Sequence, residues 1–116
     1  MLDLNQFFKL AIERNASDIH LIPGYPFALR IEGEIHLFSN YPKIGANDLK
    51  TAIFALLNEE QKQIFINNRE LDLSLEFENN RFRANIYYSK NGIAASFRII
   101  PKKINTLEEL NLPSSL

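Results

Sequence analysis

The sequence predicts a two-layer α+β fold: an antiparallel sheet of roughly six strands with about three helices on one face. Three observations carry this expectation. Short runs alternate apolar and polar residues, as where Leu71, Leu73, Leu75 and Phe77 interleave with Asp72, Ser74 and Glu76. That period of two marks a half-buried strand. Tight-turn dipeptides, Glu32-Gly33, Asn79-Asn80 and Asn91-Gly92, separate several such runs and imply hairpins. Other stretches repeat apolar residues at helical spacing, and those helices must cover the apolar face of the sheet.

Taken in order, Asp3 to Asn15 reads as a helix, with Leu4, Phe7, Phe8, Ala11 and Ile12 forming an apolar stripe. Ser17 to Ile22 is a short strand with Ile19 and Leu21 on one side and Asp18 and His20 on the other. Pro23-Gly24-Tyr25-Pro26 turns the chain. Phe27 to Ile31 and Glu34 to Phe38 are the next two strands, and Ser39 to Ala46 is a loop. Asn47 is the expected cap of a helix from Asp48 to Leu57, with Leu49, Ile53, Leu56 and Leu57 inward. A further helix from Glu59 to Asn67 would place Ile64 and Phe65 against the core. Glu70 to Phe77 is the alternating strand described above.

The stretch from Arg81 to Pro101 reads as a hairpin. Phe82, Ala84, Ile86 and Tyr88 share one face, and Arg81, Arg83 and Asn85 the other. A two-residue turn at Asn91-Gly92, with both residues at φ > 0, would set Lys90 opposite Ile93, Asn85 opposite Arg98 and Ala84 opposite Ile99. Arg83 and Arg98 then become near-diagonal neighbours on one face. A slip of one residue would send Arg98 to the other side. Between Asn80 and Leu107 stand six basic residues (Arg81, Arg83, Lys90, Arg98, Lys102, Lys103) and no acidic one. Two readings follow: a surface for phosphate or carboxylate, which the planar arginine fork suits, or a solvated sheet face.

Composition excludes several functions. At 116 residues the chain holds one core, and with no cysteine it has neither disulfides nor thiolate metal ligands. His20 and His36 are too few for a metal cluster without a carboxylate motif. A net charge of −1 argues against general nucleic-acid binding. No basic region opens the chain as in a secretory signal, and no apolar run approaches a membrane span. The expected setting is the cytoplasm, without direct membrane insertion. No phosphate loop occurs: Lys50-Thr51 follows Leu49 where a glycine would be needed. Asp18 and His20 share a strand face, either as an acid/base pair or as a hydrogen-bonded polar edge. No nucleophile accompanies them, which favours the second. By itself the chain does not read as an enzyme.

A set of ordered motifs carries a family resemblance. Ala16-Ser-Asp-Ile-His-Leu21 is followed by Gly24-x-Pro26 and Arg30-Ile-Glu-Gly33, then by Arg69-Glu-Leu-Asp72 and Arg81-Phe-Arg-x-Asn85. Phe97-Arg-x-Ile-Pro101 and Thr106-Leu-Glu-Glu-Leu110 complete the order. Over essentially its whole length the chain resembles the N-terminal domain of the type II/type IV secretion ATPase superfamily. It is nearest to the twitching-motility (pilus retraction) branch, since the motifs begin close to residue 1. Tyr87-Tyr88-Ser89-Lys90 matches no family run, and Asn111 stands where a glycine is expected.

The resemblance implies a PAS-like sheet domain over 1–101 and a linker over 102–116 leading to a missing C-terminal RecA-like ATPase domain. A capping-box signature at Thr106-Leu-Glu-Glu109 would open a short helix there. It implies a hexameric motor that binds ATP, with Mg held mainly by the second domain. The N-terminal domain would close over the nucleotide and supply Arg83 and Arg98 to its phosphates, with Arg81 as a secondary candidate. Partners would be the chain's own ATPase domain, neighbouring subunits, and pilus or secretion platform proteins at the inner membrane. The alternative is a stand-alone PAS-like sensor or adaptor, which would need a roomy apolar pocket. A third option is an exposed sheet edge that pairs with a neighbour.

Overall fold

The computed structural model describes residues 2–100. The expected linker at 102–116 and its short helix lie outside the described residues. The observed order is α1 (Leu4–Glu13), β1 (Asp18–Leu21), β2 (Ala28–Ile31), β3 (Glu34–Leu37), α2 (Ala46–Phe54), α3 (Glu59–Asn68), β4 (Glu70–Phe77), β5 (Asn80–Ser89) and β6 (Gly92–Ile100). The six strands form one antiparallel sheet in the order β3-β2-β1-β6-β5-β4. The expected α+β fold is therefore observed.

Helix ends follow their capping chemistry. Asp3 caps α1 by accepting from the Asn5 amide at 3.0 Å, so the helix begins one residue later than expected. Asn58 and Gln61 form a reciprocal capping box on α3, at 2.7 and 3.0 Å. α3 ends on Arg69 in the left-handed region, φ +63°. The expected Asn47 cap is not used. α2 starts at Ala46 after Gly45, whose lack of a side chain leaves that helix without a side-chain cap.

The core lies between the helices and one face of the sheet. α1 packs on β1, α2 on β6 and α3 on β4. Phe8 sits among Phe77, Phe82 and Phe97 at ring distances of 5.7, 4.8 and 5.0 Å. Phe65 is fully buried, whereas Ile64, expected beside it, is exposed. Tyr88, also expected inward, is 39 % exposed and stacks on Phe65 at 4.9 Å under the Arg69 guanidinium.

Two hairpin turns have both central residues at positive φ: Glu32-Gly33 (+52°, +80°) and Glu78-Asn79 (+50°, +67°). The second lies one residue before the expected Asn79-Asn80. The β5–β6 turn also differs from expectation. Its central residues are Lys90-Asn91, because Ser89 pairs with Gly92. Only Gly92 of this turn has positive φ, at +139°. A Cβ on Gly92 would meet Ala46 Cβ at 3.4 Å and Pro23 Cγ at 3.5 Å. Those are ordinary contact distances, so the positive φ just after the turn, rather than crowding, is what calls for glycine. The pairing moves by two residues from that expected, an even slip that leaves every side chain on its face.

Candidate functional site

The face of the sheet opposite the helices carries the candidate site. A cross-strand row runs Ser74 (β4), Arg83 (β5), Arg98 (β6), Asp18 (β1), Arg30 (β2) and Ile35 (β3), each facing the next. Arg83 and Arg98 are directly opposite, not diagonal as expected. Facing residues in such a ladder have Cα atoms about 4.5–5.5 Å apart, so two arginine side chains leave the sheet from adjacent positions.

The arginines of this face differ in how they are tied. Arg98 donates from Nε to Asp18 Oδ1 at 2.9 Å, yet its side chain is 70 % exposed. Arg30 donates from an amino group to the Gly33 carbonyl at 3.0 Å and brings Nε to 3.7 Å from Asp18 Oδ2. Arg81 lies 3.6 Å from Glu76 at the neighbouring position. Arg83 makes no ion pair with any described residue. Asn85, one row along, spends its amide on Glu70 and Asp72 at 3.0 and 2.8 Å, which keeps those carboxylates with β4.

Asp18 is buried, 6 % exposed. Burial pushes its carboxyl up, but hydrogen bonds from Arg98 and Ser17 and the Arg98 charge outweigh that and hold it below the usual carboxylate range. His20 lies next along β1, opposite Ala28 and Ser96. Its Nε2 is buried with no hydrogen-bond partner. Burial lowers its affinity for a proton; Asp18 opposes this, while Arg30 and Arg98 reinforce it. The arrangement is a hydrogen-bonded polar patch on an interior strand, with no hydrogen bond from His20 to a hydroxyl among the described residues. Tyr87 on the same face has its phenol pushed up by burial. A shallow groove of about 300 Å³ lies beside the row, lined by Ile22, Tyr25, Ile35 and Leu37 among others.

Chemically, the row can bind an anion. Like charges on facing residues repel, and one carboxylate shared by Arg30 and Arg98 leaves a net positive band ending in Arg83, which pairs with no described carboxylate. A polyphosphate fits such a band, since each arginine offers several donors in a fixed fork. The sequence brought out Arg83, Arg98 and Arg81 but missed Asp18 and Arg30 as their neighbours. The β1–β6 pairing joins residues 80 apart, and no local pattern announces it. Among the described residues no helix is long and apolar enough to cross a membrane, and no cluster of potential metal ligands occurs.

No family model matches the chain. It is 31 % identical over 112 residues to the type IV pilus retraction ATPase PilT of Pseudomonas aeruginosa, covering 96 % of this chain and 32 % of that protein. Among solved structures, the pilus retraction motor PilT with bound ADP superposes with a TM-score of 0.83 and 34 % identity, over 97 % of this chain and 33 % of that one. The ATPase DotB of Legionella pneumophila superposes with a TM-score of 0.73 at 21 % identity, over 95 % and 31 %, and shares the fold. The chain thus spans about a third of the length of the proteins it matches.

Proposed function

The chain belongs to the PilT-like branch of the type II/type IV secretion ATPases and corresponds to their N-terminal domain, and on that premise we propose that it serves as the closing lid of an ATP-driven motor. Arg83 and Arg98 reach the phosphates of ATP held by a RecA-like domain, with Arg81 at the margin. The motor is a hexamer that drives pilus retraction, pilus extension or protein secretion. It works in the cytoplasm, against platform proteins at the inner membrane. The domain contributes no phosphate loop and does not turn over ATP alone; Mg is held mainly by the ATPase domain.

The observation that carries this reading is the direct opposition of Arg83 and Arg98 on an uncovered sheet face, with Arg83 free of any described carboxylate. Guanidinium donors delivered by closure stabilise charge developing on the terminal phosphoryl group. Because they arrive only on closure, hydrolysis and domain movement are coupled. Supporting evidence for a nucleotide is the ADP named with the PilT structure. The test compares ATP turnover of the isolated chain with that of a longer protein carrying it. The chain alone should be inactive, and the longer protein active. Hydrolysis by the chain alone, or an inactive longer protein, would defeat the reading.

A further inference from the structure

We propose that Asp18 is a positioning residue for Arg98, holding its guanidinium ready for the phosphates of ATP; the inference rests on the reading just given. The three arginines of the row are restrained to different degrees. Arg30 is fastened at both ends, to Gly33 and towards Asp18, and is part of the scaffold. Arg83 is unfastened. Arg98 is held at Nε alone.

That single attachment has a chemical consequence. An arginine anchored through Nε keeps both terminal amino groups for a ligand, and their end-on fork suits a phosphate. The anchor is itself well held. Asp18 sits on a central strand with its side chain 9 % exposed. Oδ1 accepts from Arg98, while Oδ2 accepts from the Ser17 hydroxyl at 2.8 Å and faces Arg30. With both oxygens engaged, the carboxylate has one orientation, and Arg98 inherits it. Asp18 also offsets the repulsion that would otherwise push Arg98 away from Arg83. A long side chain 70 % exposed would otherwise sample many rotamers, and ordering it in advance lowers the cost of engaging the ligand.

The experiment is a double-mutant cycle on ATP hydrolysis by the ring-forming protein that carries this domain. Asp18→Ala, Arg98→Ala and the double variant are compared with wild type. Misplacing a reacting group by roughly 1 Å costs on the order of 10²-fold, so Asp18→Ala should lower kcat about 10- to 100-fold with KM for ATP within about threefold. In the Arg98→Ala background it should lower kcat no further. Asp18→Asn, which keeps an oxygen for Arg98 Nε, should recover part of the loss. Unchanged kcat, an equal loss in both backgrounds, or tighter ATP binding would overturn the proposal; the last would make Asp18 a competitor of the ligand. If Asp18→Ala does not fold, Ser17→Ala decides: loosening Oδ2 alone should lower kcat about threefold, and only when Arg98 is present. Unchanged kcat in Ser17→Ala would likewise overturn it. If Arg98→Ala itself leaves turnover intact, the arginine-lid reading falls and this inference falls with it. If Arg98→Ala is impaired and Asp18→Ala is normal, only this inference falls.

Discussion

Arg83 and Arg98 face each other directly across β5 and β6, fifteen residues apart in sequence and like in charge. Like charges directly opposite are destabilising in a sheet. The fold tolerates the pair although Arg83 makes no ion pair with any described residue. Arg83→Glu should therefore leave the domain folded, with a melting temperature equal to or above wild type, while abolishing any anion affinity of the face. Thermal melts and phosphate-analogue titration check this. A clear loss of stability would show that Arg83 has a structural role.

The pH dependence of stability should show two steps on the acid side. His20 and Asp18 both have folded-state proton affinities below their ordinary values, 6.5 and 3.8. In each case the unfolded chain binds the proton more readily. The stabilisation is therefore complete above the ordinary value and is lost as pH falls through the folded one. The first loss begins below 6.5 and belongs to His20; the second begins below 3.8 and belongs to Asp18. Denaturant melts of His20→Gln should lack the first step, and those of Asp18→Asn the second. A His20→Gln curve that still falls between 6.5 and 3.8 would reassign the first step.

The aromatic cluster under the sheet should dominate stability. Phe82 and Phe97 are fully buried against Phe8, so Phe82→Ala should cost about 3–5 kcal/mol. Urea unfolding measures it. A loss below about 1 kcal/mol would mean that the site collapses to refill the cavity.

Gly92 stands at φ +139°, far from the left-handed region other residues can reach. Gly92→Ala should destabilise the domain by about 1–3 kcal/mol. The same substitution at Gly33, φ +80° and so closer to that region, should cost less. Equal costs would show that the difference in φ does not set the strain.

Much of this fold was legible because its signals are local. Leu71 to Phe77 alternates without interruption, and β4 occupies the expected residues, Glu70–Phe77. Glu32-Gly33 announces its turn by composition alone. The β5–β6 turn was misplaced because Asn-Gly usually fills the centre of a hairpin turn. Here Lys90-Asn91 forms the centre, and Gly92, at φ +139°, is the first residue of the returning strand. The faces survived that error because parity depends only on whether the slip is even. The Asp18–Arg98 bond was not legible, since it depends on β1 joining β6 across most of the chain. Local alternation places Asp18 on a face but says nothing of which strand lies beside it.

The central claim is that Arg83 and Arg98 act on the phosphoryl group as it leaves, not on ground-state binding. Single-turnover cleavage of limiting ATP by a longer protein carrying this domain tests this most directly, with nucleotide affinity measured in parallel. Arg83→Ala and Arg98→Ala should each slow cleavage, by on the order of 10³-fold for a full arginine-finger contribution, with affinity changed only a few-fold. Cleavage at the wild-type rate in both variants would contradict it, and would leave the basic face as a solvated surface or a docking site.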